Sequence, residues 1–150
     1  MTYLREALHA RIGEFVSLRR ELHQHPELAF EEHRTAALVA DKLASWGYDV
    51  ESGVGGTGVV GRLARGTGTR RLGLRADMDA LPIVETSGAA WASVRPGLMH
   101  ACGHDGHTAM LLAAACHLAA HGDFDGTLHL IFQPAEEGGG GALRMMADGL

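Results

Sequence analysis

Two short segments of the chain carry side chains that bind transition metals. The first, His100-Ala-Cys-Gly-His-Asp-Gly-His107, contains a thiol and three imidazoles, and the second, Gln133-Pro-Ala-Glu-Glu-Gly138, contains two adjacent carboxylates. Cys102 and His104 are separated by one residue, a spacing that in an extended or loop segment turns both side chains to the same side. A thiolate and an imidazole suit zinc or a similar divalent transition metal. By itself this pair is a weak indication, because lone histidines are more often hydrogen-bonded or surface residues.

The adjacent carboxylates Glu136 and Glu137 strengthen the metal interpretation. They follow a predicted strand and Pro134, and α/β proteins bind their ligands at the carboxyl ends of strands. Neighbouring side chains point apart, so one carboxylate can bind metal while the other faces a water molecule. Without a cation the two groups would repel each other in a partly buried site. A solvated acidic loop ahead of the glycine run 138–141 is the alternative interpretation.

Four further side chains have roles that the sequence does not decide. Asp77 and Asp79 alternate at a predicted strand end, where they could hold metal ligands in place, orient an imidazole or cap a turn. His100 and His107 flank the Cys-Gly-His core, and either could donate a proton, contact a substrate or be an ordinary loop histidine.

Two other kinds of site fit the sequence less well. Gly53-Val-Gly-Gly-Thr-Gly58 matches the glycine pattern of dinucleotide-binding turns, but a strand-like segment follows it where such a site needs a helix. A Cys102 nucleophile with His104 or His107 as its base is disfavoured, because the short spacing gives poor geometry for proton transfer. That arrangement would also leave the paired glutamates without a role.

The segments that position these residues alternate between helical and extended patterns, which indicates the α/β class. Apolar residues at steps of three and four predict the helices, and short Val- and Leu-rich runs predict the strands. The segments 58–64 and 71–76 could form a hairpin, and the aperiodic stretch 77–99 is typical of a functional loop. The predicted helices cover 4–25, 31–46, 105–120 and 142–147, and the predicted strands cover 48–51, 58–64, 71–76 and 128–132.

Composition is that of a soluble globular domain. At 150 residues the chain suits one domain, and with a formal charge of −5 and 13 dispersed basic residues it does not resemble a nucleic-acid binder. Its uncharged runs are too short to cross a bilayer, so no membrane partner is expected. With only Cys102 and Cys116 and no apolar signal region, the sequence predicts a reducing, cytoplasmic compartment. Cys116 is expected to be a small buried thiol rather than a disulfide partner.

Taken together, the motifs resemble the family of hippurate hydrolases, N-acyl-amino-acid amidohydrolases and plant auxin-conjugate hydrolases, in the aminoacylase and carboxypeptidase superfamily. The resemblance runs in order over nearly the whole chain. It rests on Arg20-Glu-Leu-His-Gln-His-Pro-Glu27 with Glu32 and Thr35, on Gly56-Thr-Gly58, on Leu74-Arg-Ala-Asp-Met-Asp-Ala-Leu-Pro82 and on the segments 100–107 and 133–138.

The resemblance implies a metal-dependent amidohydrolase with a three-layer α/β/α catalytic domain, a mixed sheet and an inserted lid or dimerisation domain. It implies Cys102, His104 and Glu137 as ligands in a site for two divalent ions, manganese or zinc, with cobalt or nickel as other options. Glu136 is then the general base for a metal-activated water. The expected substrate is a small N-acyl-amino acid or dipeptide-like amide, split into a carboxylic acid and an amino acid, and a homo-oligomer is compatible with this family.

Members of this family are more than twice as long, and they supply further histidine ligands and the lid after the point that corresponds to Leu150. Residues 1–150 are therefore expected to be the N-terminal part of a metallo-amidohydrolase catalytic domain that lacks the lid, either as a fragment or as a truncated gene product. The alternative is a catalytically incompetent fragment that only binds metal or a partner chain.

Overall fold

The computed structural model describes residues 2–150, with side chains described from His9 onward. The four helices and four strands occur in the order that the sequence predicts. The helices are α1 (Thr2–Gln24), α2 (His33–Ser45), α3 (His104–His121) and α4 (Gly141–Ala147), and the strands are β1 (Asp49–Val54), β2 (Gly58–Arg65), β3 (Arg71–Asp77) and β4 (Gly126–Gln133).

The four strands form one mixed sheet in the order β1-β2-β4-β3. β2 pairs antiparallel with both β1 and β4, and β3 pairs parallel with β4. In the antiparallel β2–β4 pair Val59 lies opposite Phe132, and in the parallel pair Asp77 lies opposite Gln133. The parallel pair therefore ends in register, with both carboxyl ends at the same edge of the sheet.

Side chains that alternate along the strands bury both faces of the sheet. Val59 and Phe132 face the main core, which the first three helices cover, and both are fully buried. Val60 and Ile131, the neighbours of these residues, point to the opposite face and pack against Met145 of α4. Helices thus lie on both sides of the sheet, which confirms the predicted three-layer α/β/α arrangement.

The hairpin expected between segments 58–64 and 71–76 is wrong, because β4 lies between β2 and β3. The turn after β2 is fixed to the start of β4: Asp125 Oδ1 accepts hydrogen bonds from the backbone N–H groups of Thr67 and Gly68 at 2.8 and 2.6 Å. β3 reaches β4 only through the long loop and α3, because parallel strands need a crossover connection.

Three smaller expectations are confirmed. The glycine-rich turn 53–58 joins two antiparallel strands and no helix follows it, so it lacks the context of a dinucleotide site. Residues 78–99 form no helix or strand beyond an isolated bridge between Leu81 and Met99. Both cysteines are free thiols, and Cys116 is buried.

Of the helices described over residues 2–150, none is long and apolar enough to cross a membrane.

Candidate metal centre

The two motifs converge at the carboxyl edge of the parallel strand pair. Asp77 ends β3 and Asp79 follows it, while Glu136 and Glu137 follow the end of β4 directly opposite. The first residue of α3, His104, enters this edge from the loop that precedes the helix. The fold therefore collects acidic groups from two strand ends around one imidazole, at the edge where α/β proteins bind ligands.

Gly103 sets the direction in which Cys102 and His104 point. It adopts a left-handed conformation with φ of +81° and is the N-cap of α3, so the helix begins at His104. A residue with a β-carbon pays a steric penalty in that conformation, which glycine avoids. The predicted helix 105–120 thus begins one residue earlier, and its N-cap is a left-handed glycine without a side-chain cap hydrogen bond.

Asp79 fixes the orientation of the His104 ring. Its Nδ1 lies 2.9 Å from the backbone oxygen of Asp79 and 3.2 Å from the Asp79 carboxylate, both of which can only accept a hydrogen bond. These partners place the ring proton on Nδ1 and leave the lone pair on Nε2. Such a carboxylate–histidine pair is how proteins commonly fix a ligating imidazole.

Three carboxylates surround the Nε2 atom of His104. Nε2 lies 3.6 Å from an oxygen of Asp77, 3.8 Å from one of Glu136 and 3.9 Å from one of Glu137. His104 and Asp77 are buried, whereas the side chains of Glu136 and Glu137 are 40% and 29% exposed. A divalent cation would relieve the repulsion among these negative charges, so the donor set fits a metal ion.

The sequence-predicted ligands Cys102, His104 and Glu137 form one compact donor group. One ligand atom from each lies within 4.8 Å of the others. A hydrogen bond to Glu137 raises the pKa of the Cys102 thiol, and Cys102 is exposed. The thiol is therefore protonated at neutral pH, and a metal ion bound to it would displace that proton.

A second donor group overlaps the first. Asp77, His104 and His107 also offer ligand atoms within 4.8 Å of one another. His107 Nδ1 lies 2.7 Å from Asp77 Oδ1. Burial alone would raise the pKa of Asp77, but the hydrogen bond from His107 and the nearby charge of Arg75 act against it, and the pKa is lowered. Because both groups use His104, a site for two ions needs donors besides these five residues.

Asp79 also fixes the segment that carries the paired glutamates. Its Oδ2 accepts the backbone N–H of Glu137 at 2.9 Å while its other oxygen contacts His104. The side chain of Asp79 is fully buried. One carboxylate thus contacts both the ring of His104 and the backbone of Glu137, two of the predicted ligand residues.

Glu32 supports the same segment from the opposite side. It is fully buried, it accepts the backbone N–H of Ala135 at 2.8 Å, and it accepts the hydroxyl of Thr57. Ala135 has a φ of +49°, a strained value for a residue with a β-carbon. Gly141 packs so closely on the carbonyl of Pro134 that a β-carbon there would overlap the backbone. These contacts hold the turn that presents Glu136.

Replacing Glu32 by alanine is expected to lower the free energy of unfolding by about 2–4 kcal/mol, because it leaves the N–H of Ala135 and the hydroxyl of Thr57 without their acceptor. Urea denaturation measures the change. Glu31→Ala, at the exposed neighbouring position, is the matched control and should shift the value by less than about 0.5 kcal/mol. Equal losses for the two variants would contradict the supporting role.

The carboxyl edge of the parallel strand pair, with Asp77, His104, Glu136 and Glu137, is called the metal edge below. A buried ionic network lies behind it. Asp105, next to His104 on α3, accepts contacts from Arg19 at 2.8 Å and from His23 at 2.7 Å, both on α1. The other ring nitrogen of His23 lies 3.2 Å from Glu85 in the loop 78–99. The network joins the first helix, the loop and the start of α3, and so fixes the turn that carries His104.

Glu85 makes the stability of this network dependent on pH. Hydrogen bonds from Ser87 and from the backbone of Ser93, followed by His23, lower the pKa of Glu85 from 4.5 to about 2. A carboxylate whose folded-state pKa is depressed stabilises the fold fully above its unfolded pKa, and this stabilisation is lost as the pH falls through the folded value.

The melting temperature of the chain is therefore expected to fall between about pH 4.5 and pH 2 more steeply than that of Glu85→Gln. The gap between the two proteins should be largest above pH 4.5 and should close on acidification. Glu31→Gln serves as the exposed control. A gap that stays constant from pH 6 to about pH 2 would show that ionised Glu85 is not what stabilises the loop.

His100 lies beside the network and is buried. Neither of its ring nitrogens has a hydrogen-bond partner among residues 9–150, and burial lowers its pKa to about 4. The ring is therefore neutral at physiological pH.

The site and the sheet match known proteins. Residues 73–150 match the model of peptidase family M20/M25/M40. The chain belongs to peptidase family M20/M25/M40. The matched residues contain every side chain of the metal edge described above, from Asp77 to Glu137.

Relatives in the M20 family include hydrolases of amino-acid conjugates. Hippurate hydrolase of Campylobacter jejuni is 54% identical over 138 residues, which are 92% of this chain and 36% of the relative. The IAA-amino acid hydrolase ILR1-like 5 of Arabidopsis thaliana is 47% identical over 136 residues, 90% of this chain and 31% of the relative. The chain thus spans about a third of the length of these relatives.

A solved M20 structure has the same fold. The Bacillus subtilis YXEP protein, described as a dinuclear metal binding peptidase, is 38% identical and superposes with a TM-score of 0.85. The superposition covers 96% of this chain and 40% of that protein. The predicted resemblance and the predicted fold class are therefore confirmed, and a site for divalent metal fits an M20 chain.

Proposed function

We propose that this M20 chain supplies the metal edge and the general base of an enzyme that hydrolyses the amide bond of N-acyl-amino acids. The observation that carries the proposal is the convergence of three carboxylates within 4 Å of His104 Nε2, beside the Cys102 thiol. Relatives named for hippurate and for IAA-amino acids suggest small amides of this class, or dipeptide-like ones, as substrates.

Cys102, His104 and Glu137 would hold a divalent ion, and a complete site would hold two. Zinc and manganese are the first candidates, with cobalt or nickel as alternatives, because the donors mix sulfur, nitrogen and oxygen. When bound, the metal supplies Lewis acidity, which polarises a carbonyl and lowers the pKa of water. Asp79 orients two of these ligands, as its contacts with His104 and Glu137 indicate.

Glu136 would act as the general base. Its side chain is 40% exposed and points into the same cluster, 3.8 Å from His104 Nε2, so a water at the edge can reach it. Its carboxylate would take a proton from that water during attack on the amide carbonyl and deliver it to the leaving nitrogen. The products are a carboxylic acid and an amino acid.

Residues 1–150 are proposed to be the N-terminal part of the catalytic domain, with the remaining donors and a lid supplied by further polypeptide. The donor groups share His104, and the chain spans about a third of its relatives, which supports this division. Both cysteines are free thiols, which is consistent with a reducing cytoplasmic location, and a homo-oligomer remains part of the proposal.

A chimera tests the proposal directly. Residues 1–150 would replace the matching third of Campylobacter jejuni hippurate hydrolase, and release of glycine from N-benzoylglycine would be followed with zinc or manganese. We expect metal-dependent turnover by the chimera and none by residues 1–150 alone. An inactive but folded and metal-loaded chimera would favour the alternative, a chain that binds metal or a partner without catalysis.

A further inference from the structure

An apolar groove lies between α1 and α3, on the outer side of the helical layer. Its volume is about 440 Å³, within the range of small-molecule sites. Three of its side chains are unusually exposed for their type: Ile12 is 55%, Val16 42% and Met110 64% exposed. The groove is lined from the two helices by Ile12, Phe15, Val16, Ala109, Met110 and Ala113.

The rim of the groove carries positive charge. Arg19 and Arg20 both line the groove, but Arg19 forms an ion pair with the buried carboxylate of Asp105 at 2.8 Å. Arg20 lies over the ring of Trp91, 3.9 Å from its centroid, and within residues 9–150 no carboxylate lies within 4.0 Å of it. The guanidinium is thus held at the rim by a stacking contact with its charge unneutralised.

We propose that this groove binds a small amphiphilic carboxylate, with an aryl or medium-chain aliphatic body against the two helices and the carboxylate on Arg20. A guanidinium matches a carboxylate in charge and in planar hydrogen-bond geometry. The apolar lining excludes a fully polar anion, and the arginine rim disfavours a cation. The site is separate from the metal edge and does not depend on the proposed hydrolysis.

α3 separates the groove from the metal edge. Gly106 and Ala109 line the groove, and His107 lines a neighbouring cleft together with Asp77, with Met110 bordering both. A ligand in the groove therefore does not need to contact the predicted metal ligands, and its binding can be measured on the metal-free chain.

Isothermal titration calorimetry of residues 1–150 with sodium decanoate tests the proposal. Decanol and decyltrimethylammonium, which keep the apolar body but lack the carboxylate, are the matched ligands. We expect a submillimolar dissociation constant for decanoate and binding at least about threefold weaker for the other two. Equal binding of all three would overturn carboxylate recognition and leave only unspecific burial of an apolar chain.

Variants locate the site. Arg20→Gln should weaken decanoate about three- to fivefold while leaving decanol unchanged, and Arg20→Lys should restore part of the difference. Ala113→Phe should fill the groove and weaken both ligands. Arg62→Gln on β2 is the control and should change neither. Circular dichroism checks that each variant folds.

Two results would contradict the assignment. If decanoate binds equally well to Ala113→Phe and to the unaltered chain, the groove is not the site. If decanoate does not bind and Ala113→Phe instead abolishes a dimer seen by sedimentation, the groove is covered by a second copy of the chain.

Discussion

Glu136→Gln is expected to reduce kcat of the chimera for N-benzoylglycine by about 10²–10⁴-fold while its metal content stays unchanged. Glutamine keeps the size and one acceptor oxygen of the side chain but cannot take a proton from water. The side chain is 40% exposed, so the substitution should leave folding intact. Initial rates of glycine release and metal analysis of the same sample give the two quantities.

Glu137→Gln is the matched control, because it makes the same chemical change at the neighbouring residue. It should lower metal content, since Glu137 belongs to the donor group with Cys102 and His104. Activity of Glu137→Gln should then recover in part at high metal concentration, and that of Glu136→Gln should not. If the two variants behave alike, the division of roles between the paired glutamates is wrong.

Cys102→Ala is expected to weaken zinc binding by residues 1–150 by on the order of 10²-fold, because it removes a thiolate from a three-donor group. Competition with a chromophoric chelator measures the dissociation constant. Cys116→Ala is the control, since Cys116 is the other free thiol, is buried and lies outside the donor group. Cys116→Ala also removes one thiol, as Cys102→Ala does, but it should leave the zinc affinity unchanged.

Unaltered zinc affinity in Cys102→Ala would show that the thiol is not a ligand. An effect of similar size in Cys116→Ala would show that the assay reports general thiol reactivity or misfolding. Either outcome would remove the support for the proposed metal site. The family membership would be unaffected, because it rests on the match over residues 73–150.

The elements of the fold were predictable because their patterns are local. The helix through Met110 and Leu118 and the strand around Leu130 follow from spacing alone, and each is present. The pairing of the strands was not predictable in this way. Nothing local in Arg71–Asp77 shows that it pairs parallel with β4, because that choice depends on the crossover through α3 and on the anchoring of the preceding turn by Asp125.

The candidate site was likewise predictable only in part. Cys102, His104 and Glu137 stand out by residue type and spacing, and the structure brings one ligand atom of each within 4.8 Å of the others. The neighbouring Glu136 lies 3.8 Å from His104 Nε2. The supporting role of Glu32 has no local signal, because its contact with Ala135 spans 103 residues. The same holds for Asp105, whose partners lie on α1, 82 residues away for His23.

The parallel pairing of β3 with β4 also determines when an ion can be captured. The acidic groups after the two strands belong to segments between which the whole of α3 must first be synthesised and docked. In a nascent or unfolded chain the segments that carry these donors are far apart, so the complete ligand group does not exist. Metal binding is therefore expected late in folding, only after β3, α3 and β4 have packed together.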